Sequence, residues 1–266
     1  MSGSAGRPSL PEVTLSESRG VRYLHLDTPW IQGAMRIDEP DEIVLEYVQR
    51  MMVWMLFREL TGLGAAHAVQ LGLGAGAITR FCSRRLRMRT TAVEVNRHVI
   101  DACRLWFRLP ADGPRLGVLE MDAARFAADP ARRGTVDVLS VDLYDHDAAS
   151  PVLDSAEFYA DCHRLLAGGG LMTVNLFGRE ASFDESFAKI AAAFAGDGRV
   201  GAMKPTPEGN TVVLAMKQVT VPDRDTLAGR AENIETRWQL PARKWLRMIA
   251  PSLADSPASR HDRPPA

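Results

Sequence analysis

Bracing chemistry is scarce in this sequence. Its three cysteines, Cys82, Cys103 and Cys162, are odd in number, far apart and free of any C-x-x-C spacing. That argues against a disulfide framework and a zinc site, and fits a reducing cytoplasm. An excess of one charge is also missing: 32 basic residues against 33 acidic ones leave a net charge of −1, so no global field holds a nucleic acid or an anionic membrane. Lysine is confined to Lys189, Lys204, Lys217 and Lys244; arginine carries the positive charge on every predicted surface and has no functional weight. Leu60 to Thr79 lacks Asp, Glu, Lys and Arg, but its glycines at 62, 64, 72, 74 and 76, with His67 and Gln70, make it turn-rich and not a membrane span. No apolar core follows a basic start near the N-terminus, so no signal peptide is expected. Neither nucleic acid nor membrane is expected as a partner.

What remains is an ordinary globular composition, 46% hydrophobic and 24% charged over 266 residues, enough for one large domain with a small appendage. Residues 1–12 and 251–266 are rich in Ser, Gly and Pro and are expected to be mobile tails. Between residues 13 and 36, alternating runs such as Val21-Arg22-Tyr23-Leu24-His25-Leu26 are split by turn residues and predict a small N-terminal β-meander. Ile43, Val44, Tyr47, Met51, Trp54 and Met55 are spaced to predict one helix over 41–60, completing a cap unit at 13–60. The run Met51–Phe57 is too apolar for one stripe and is expected to be covered on two sides; burial within the chain's own core is the leading reading and cover by another subunit the alternative, with a homodimer as the expected assembly.

Over 61–220, short strands (68–71, 91–95, 117–121, 136–141, 171–176, then 211–217) alternate with longer amphipathic stretches. Such alternation predicts an α/β Rossmann-like domain, a mostly parallel sheet with helices on both faces. Asn96 and either Asp154 or Ser155 are candidate helix caps, and Gly168-Gly169-Gly170 a helix end. A last helix is expected within 221–250, with Trp238 and Trp245 on one face.

The strongest local signal is Val69-Gln70-Leu71-Gly72-Leu73-Gly74-Ala75-Gly76, a strand entering a glycine turn and then a helix. Gly72, Gly74 and Gly76 let backbone pass close to a ligand, although glycine turns also serve plain strand–helix packing. Glu94 ends the next strand, 22 residues after Gly72, where an acid reaches ribose hydroxyls. Asp122 ends the third strand, within reach of an adenine amino group. For both acids the competing reading is capping of the following helix. The glycine spacing and the two acids favour a nucleoside such as S-adenosylmethionine over NAD. The fourth strand runs into Asp142-Leu143-Tyr144-Asp145-His146-Asp147, whose paired acids suit a cationic amine and the removal of its proton; a solvated acidic loop is the alternative. Adjacent residues of that loop point in opposite directions and no further ligand is spaced to join them, so no metal is expected.

In that order these pieces resemble the spermidine synthase family of aminopropyltransferases, over about 24–217. The residues are Leu26-Asp27 followed by Gln32, Tyr47, the glycine turn, Val93-Glu94-Val95, Asp122, Asp142-x-x-Asp145, and Glu157-Phe158-Tyr159 leading to Gly168-Gly169-Gly170. The resemblance implies a class I S-adenosylmethionine methyltransferase-like fold with an N-terminal β-cap. It assigns Glu94 to the ribose, Asp122 to adenine, Gln32 to the nucleoside, Asp142 and Asp145 to deprotonation and binding of the attacking amine, and Tyr47 and Tyr144 to substrate. Decarboxylated S-adenosylmethionine is the implied co-substrate and a small amine the acceptor. Three departures stand out: the family's Gly-Gly-Gly-Asp-Gly-Gly has Ala75 in place of Asp, its Tyr-His-Glu becomes Tyr47-Val48-Gln49, and its D-x-x-D-Pro ends in Asp145-His146. These keep open a methyltransferase using intact S-adenosylmethionine, and a nucleoside-binding protein without catalysis.

Overall fold

Two sheets carry the fold in the computed structural model, which describes residues 10–143, 153–177 and 180–254. The first is the antiparallel meander β1 (Val13–Ser18), β2 (Val21–Leu26) and β3 (Gly33–Arg36). Arg19 and Gly20 both have positive φ, 51° and 76°, the twist-matched geometry of a two-residue hairpin turn.

The second sheet contains β4 (His67–Leu71), β5 (Arg89–Glu94), β6 (Leu116–Glu120), β7 (Val136–Val141), β8 (Leu166–Phe177), β9 (Gly198–Ala202) and β10 (Asn210–Lys217), in the order β6-β5-β4-β7-β8-β10-β9. β4 pairs in parallel with both β5 and β7, and β10 runs antiparallel between β8 and β9. The chain builds outward from β4 in one direction and then in the other. That reversal opens a crevice above the carboxyl end of β4, where open α/β sheets take their ligands.

Helices α2 (Ala77–Arg80), α3 (Arg97–Trp106), α4 (Ala123–Ala128), α5 (Ala156–Leu165) and α6 (Glu180–Phe194) connect the strands. Asn96 caps α3 and Ser155 caps α5, each side chain accepting a backbone N–H two or three residues on. Phe126, Phe158, Tyr159, Ile190 and Phe194 close one sheet face. Leu24 and Met35 of the meander pack with Leu73, Ala75, Val99 and Phe107, so the small sheet docks on the glycine turn itself.

Three expectations need correction. The helix foreseen over 41–60 is one turn of α1 (Glu46–Arg50) continued by a 3₁₀ segment, Met51–Leu56. Every residue of that segment is completely buried, packed by β8, α7 (Arg224–Trp238) and α8 (Ala242–Ala254) of the same chain. A segment with no solvent face is not held to the period of an amphipathic helix, and its apolar run carries no argument for a second subunit. Trp238 and Trp245 lie on successive helices, α7 and α8, and only Trp245 is fully buried. Gly168-Gly169-Gly170 lies inside β8, where the register with β7 slips between Val136 and Val138, so these glycines form an irregular strand and not a helix end. The short edge strand β9, with Gly198 and Gly201 among its five residues, was not foreseen.

Candidate functional site

The sheet order sets the acids side by side. Asp122 follows β6, Glu94 ends β5, the glycine turn follows β4 and Asp142 follows β7, all at one edge of four adjacent strands. At about 4.8 Å per strand the row spans roughly 14 Å, the length of an elongated nucleoside.

The glycine turn is stitched to its neighbours. The Gly72 N–H donates to the Val93 carbonyl at 2.9 Å and the Asp142 N–H to the Leu71 carbonyl at 2.9 Å. Gly72, Gly74 and Gly76 have φ of 84°, 51° and 71°. A Cβ on Gly72 would run into the Asp142 carbonyl, so this glycine is required by both conformation and contact. Below the turn, buried Gln70 donates Nε2 to the Gly72 carbonyl at 2.7 Å and the Leu73 carbonyl at 3.2 Å, while buried Thr79 donates its hydroxyl to Gln70 Oε1 at 2.6 Å. Sequence reading passed over this strut; its only signal was an amide within a buried strand.

Glu94 is held by two backbone donors, the Leu73 N–H on Oε2 at 2.9 Å and the Asn96 N–H on Oε1 at 2.8 Å. Burial pushes its carboxyl above the ordinary range, opposed by those N–H groups. Each oxygen keeps a lone pair for a hydroxyl donor. Asp122 caps α4, accepting the Arg125 N–H on Oδ1 at 2.9 Å, so the capping reading holds there; the cap engages only one of its two oxygens.

Asp142 is half-buried, and its carboxyl is pushed up to about 6 by desolvation, with the Asn175 and Tyr47 hydrogen bonds opposing. Asn175 Nδ2 donates to Oδ1 at 2.9 Å and the Tyr47 hydroxyl to Oδ2 at 3.4 Å. The Tyr47 phenol is raised well above its usual value, by burial first and then by the facing carboxylate. Gln32 lines the same cavity as Tyr47 and Asp142, and its carbonyl sits over Gly74. That cavity measures about 10 Å³, room for about one water, against roughly 300 Å³ for the smallest ligand pockets. Tyr144 and Asp145 lie outside the described residues.

The structure therefore brings Gln32, Tyr47, Gly74 and Asp142 to one cavity; Gly72 and Gly76 belong to the same turn, and Glu94 is tied to that turn through the Leu73 N–H, but these three do not line the cavity. Asp122 sits one strand beyond, joined through the Met121 N–H on the Glu94 carbonyl at 3.0 Å. Such an edge offers backbone and carboxylate acceptors for a nucleoside beside a half-buried carboxylate able to take a proton near neutral pH.

No protein-family model matches the chain. Over 253 residues it is 30% identical to a polyamine aminopropyltransferase of Neisseria meningitidis serogroup A, covering 94% of this chain and 92% of that one. The chain belongs to the polyamine aminopropyltransferase family. Its fold is that of a probable spermidine synthase from Corynebacterium glutamicum, with a TM-score of 0.69 at 18% identity over 84% of this chain and 83% of that one. Human methyltransferase-like protein 13, solved with SAH, superposes with a TM-score of 0.64 at 19% identity, over 74% of this chain and 93% of that one.

Within that family this member has an altered turn. Ala75 stands where the resemblance leads one to expect Asp, and it is buried so tightly against Gly33 that a Cβ on Gly33 would strike its backbone N. Val48 is likewise buried, and Gln49 spends Nε2 on the Ile43 carbonyl at 2.7 Å.

Among the described residues no three His, Cys, Asp or Glu side chains group as a metal site, and no helix is long and apolar enough to cross a membrane.

Proposed function

We propose that this protein transfers the aminopropyl group of decarboxylated S-adenosylmethionine to a small amine, as in polyamine biosynthesis. The observation that carries the reading is half-buried Asp142 at the carboxyl end of β7, next to the glycine turn, in a chain 30% identical to a polyamine aminopropyltransferase across most of both lengths. Glu94 takes the ribose hydroxyls on its free lone pairs, Asp122 the adenine amino group, and the Gln32–Ala34 segment and the glycine turn flank the nucleoside. Admitting a nucleoside moves the start of β3 away from the turn, since the present cavity holds about one water.

Asp142 accepts one proton from the bound ammonium. The freed nitrogen lone pair attacks the propyl carbon next to the sulfonium sulfur in line, the carbon–sulfur bond breaks with its electron pair going to sulfur, and methylthioadenosine leaves as a neutral thioether. Positioning and charge placement supply the rate enhancement, with no covalent enzyme intermediate. With a carboxyl raised only to about 6, Asp142 is ionised at neutral pH and ready as the base. Tyr47 orients it, and Tyr144 and Asp145 bind the amine.

The same reading carries a reducing cytoplasmic setting, supported by three free, buried cysteines, a homodimer to be measured by sedimentation velocity, and no resident metal. The deciding experiment incubates the protein with decarboxylated or intact S-adenosylmethionine and a panel of di- and polyamines, following products by mass spectrometry. Methylthioadenosine with an aminopropylated amine is expected. S-adenosylhomocysteine with a methylated product overturns the reading in favour of methyl transfer, and binding without any product in favour of a non-catalytic nucleoside protein.

A further inference from the structure

Asp142 is reached by a chain of side chains that the assignments above do not use. Asn175 lies near the end of β8 and Asn210 begins β10. The antiparallel register pairs Asn175 with Val212 and Asn210 with Phe177, so the two asparagines are diagonal neighbours on one sheet face. Asn210 Nδ2 donates to Asn175 Oδ1 at 3.2 Å, and Asn175 Nδ2 donates to Asp142 Oδ1 at 2.9 Å. A primary amide has one accepting end and one donating end. With its accepting end taken by Asn210, Asn175 turns only donors toward the carboxylate. The far end is fixed in turn: the Asn210 N–H donates to Thr206 Oγ1 at 3.2 Å, and the Thr206 N–H to the Asn210 carbonyl at 2.8 Å.

We propose that Asn210, acting through Asn175, is a positioning residue that orients the Asp142 carboxylate and holds it ionised for proton acceptance. The role in turnover rests on Asp142 being the base, as read above; the hydrogen-bond chain does not. From the elements packed against it, Asp142 meets the Tyr47 hydroxyl from α1 and the Asn175 amide from β8. Gln70 of β4 borders the same cavity but spends Nε2 on the turn carbonyls. Tyr47 is thus the titratable group facing Asp142 among the described residues, and it stays protonated across the working range. A change in the acid limb of activity therefore reports Asp142 and the amide donor beside it.

The test compares Asn175→Leu, Asn210→Leu and the isosteric Asn210→Asp with the parent. It reads kcat/KM against pH, methylthioadenosine affinity, and the titration of the Asp142 side-chain carboxyl by carbon-13 NMR, assigned with Asp142→Asn. Asn210→Leu removes the donor without adding charge, so it separates the relay from the through-space effect of a new carboxylate. Losing an amide donor to a charged acceptor is expected to move the Asp142 titration and the acid limb upward by about one pH unit, with methylthioadenosine affinity held within about twofold. A shift in Asn175→Leu with none in either Asn210 variant overturns the proposal, as does activity falling at all pH values with an unmoved carboxyl titration. If the parent protein transfers no aminopropyl group while the titration shifts as expected, the functional reading fails and the positioning chain stands.

Discussion

Gly72 packs against the main-chain carbonyl of Asp142 with no room for a side chain between them. The ligand turn after β4 and the proton acceptor after β7 are therefore one rigid unit, joined also by the Asp142 N–H on the Leu71 carbonyl. Gly72→Ala forces a methyl into that contact at a φ of 84°. Left-handed backbone alone costs about 1 kcal/mol, and displacing a backbone neighbour adds strain, for a total of about 3 kcal/mol. Thermal unfolding should show this loss, and methylthioadenosine affinity should fall at least tenfold. Unchanged affinity would separate the turn from ligand binding.

Asp142 sets stability against activity. Keeping its carboxylate ionised costs on the order of 3 kcal/mol, at about 1.4 kcal/mol for each pH unit between the ordinary 3.8 and about 6. The folded value is raised, so this cost is absent below about pH 4, grows as pH rises, and is complete above about pH 6. Asp142→Asn is accordingly expected to melt higher than the parent at pH 7.5 and to lose that advantage toward pH 4, while turnover drops by two orders of magnitude or more. Calorimetry across the pH range checks the sign; a variant less stable at pH 7.5 contradicts it.

Much of this arrangement was legible in the sequence, for physical reasons that differ by element. The β4 strand and its glycine turn could be read because a short apolar run and closely spaced glycines are local signals. Asn96 and the pair Asp154-Ser155, of which Ser155 is the cap, announced their helices because a cap acts two or three residues away. Met51–Leu56 was misread because apolar spacing reports which faces are buried, and a segment buried all round keeps no record of its winding. Asn175, Asn210 and Gln70 were missed because a polar residue in a strand shows its purpose only through a partner distant in sequence, 33 residues from Asn175 to Asp142.

Ala75 makes a prediction that runs against restoring the family residue. Its methyl is buried against Gly33 at the start of β3, beside a cavity with room for about one water. Ala75→Asp forces a larger, charged side chain into this tightly packed contact, at a cost of roughly 2 to 4 kcal/mol. The variant is expected to melt lower and to show no gain in KM for decarboxylated S-adenosylmethionine. A lower KM at unchanged stability would mean that β3 stands clear of the turn in the working enzyme.

The last prediction concerns the strut beneath the turn. Thr79→Val keeps shape and burial but removes the hydroxyl that Gln70 Oε1 accepts at 2.6 Å. A buried amide oxygen without a donor costs about 1 to 3 kcal/mol. Gln70 can recover that cost only by turning its amide, and doing so would take Nε2 away from the Gly72 and Leu73 carbonyls. Either response loosens the same three residues, including Leu73, whose N–H holds Glu94 Oε2 at 2.9 Å. Thr79→Val should therefore weaken methylthioadenosine binding several-fold although Thr79 touches no ligand, and Thr79→Ser, which keeps the donor, should restore it. Hydrogen exchange at the Leu73 amide gives the direct measure: faster exchange in Thr79→Val, with parental rates in Thr79→Ser, is the expected pattern. Identical protection in both variants would mean that the stitching of Gly72 and Asp142 to the neighbouring strands holds the turn without the strut.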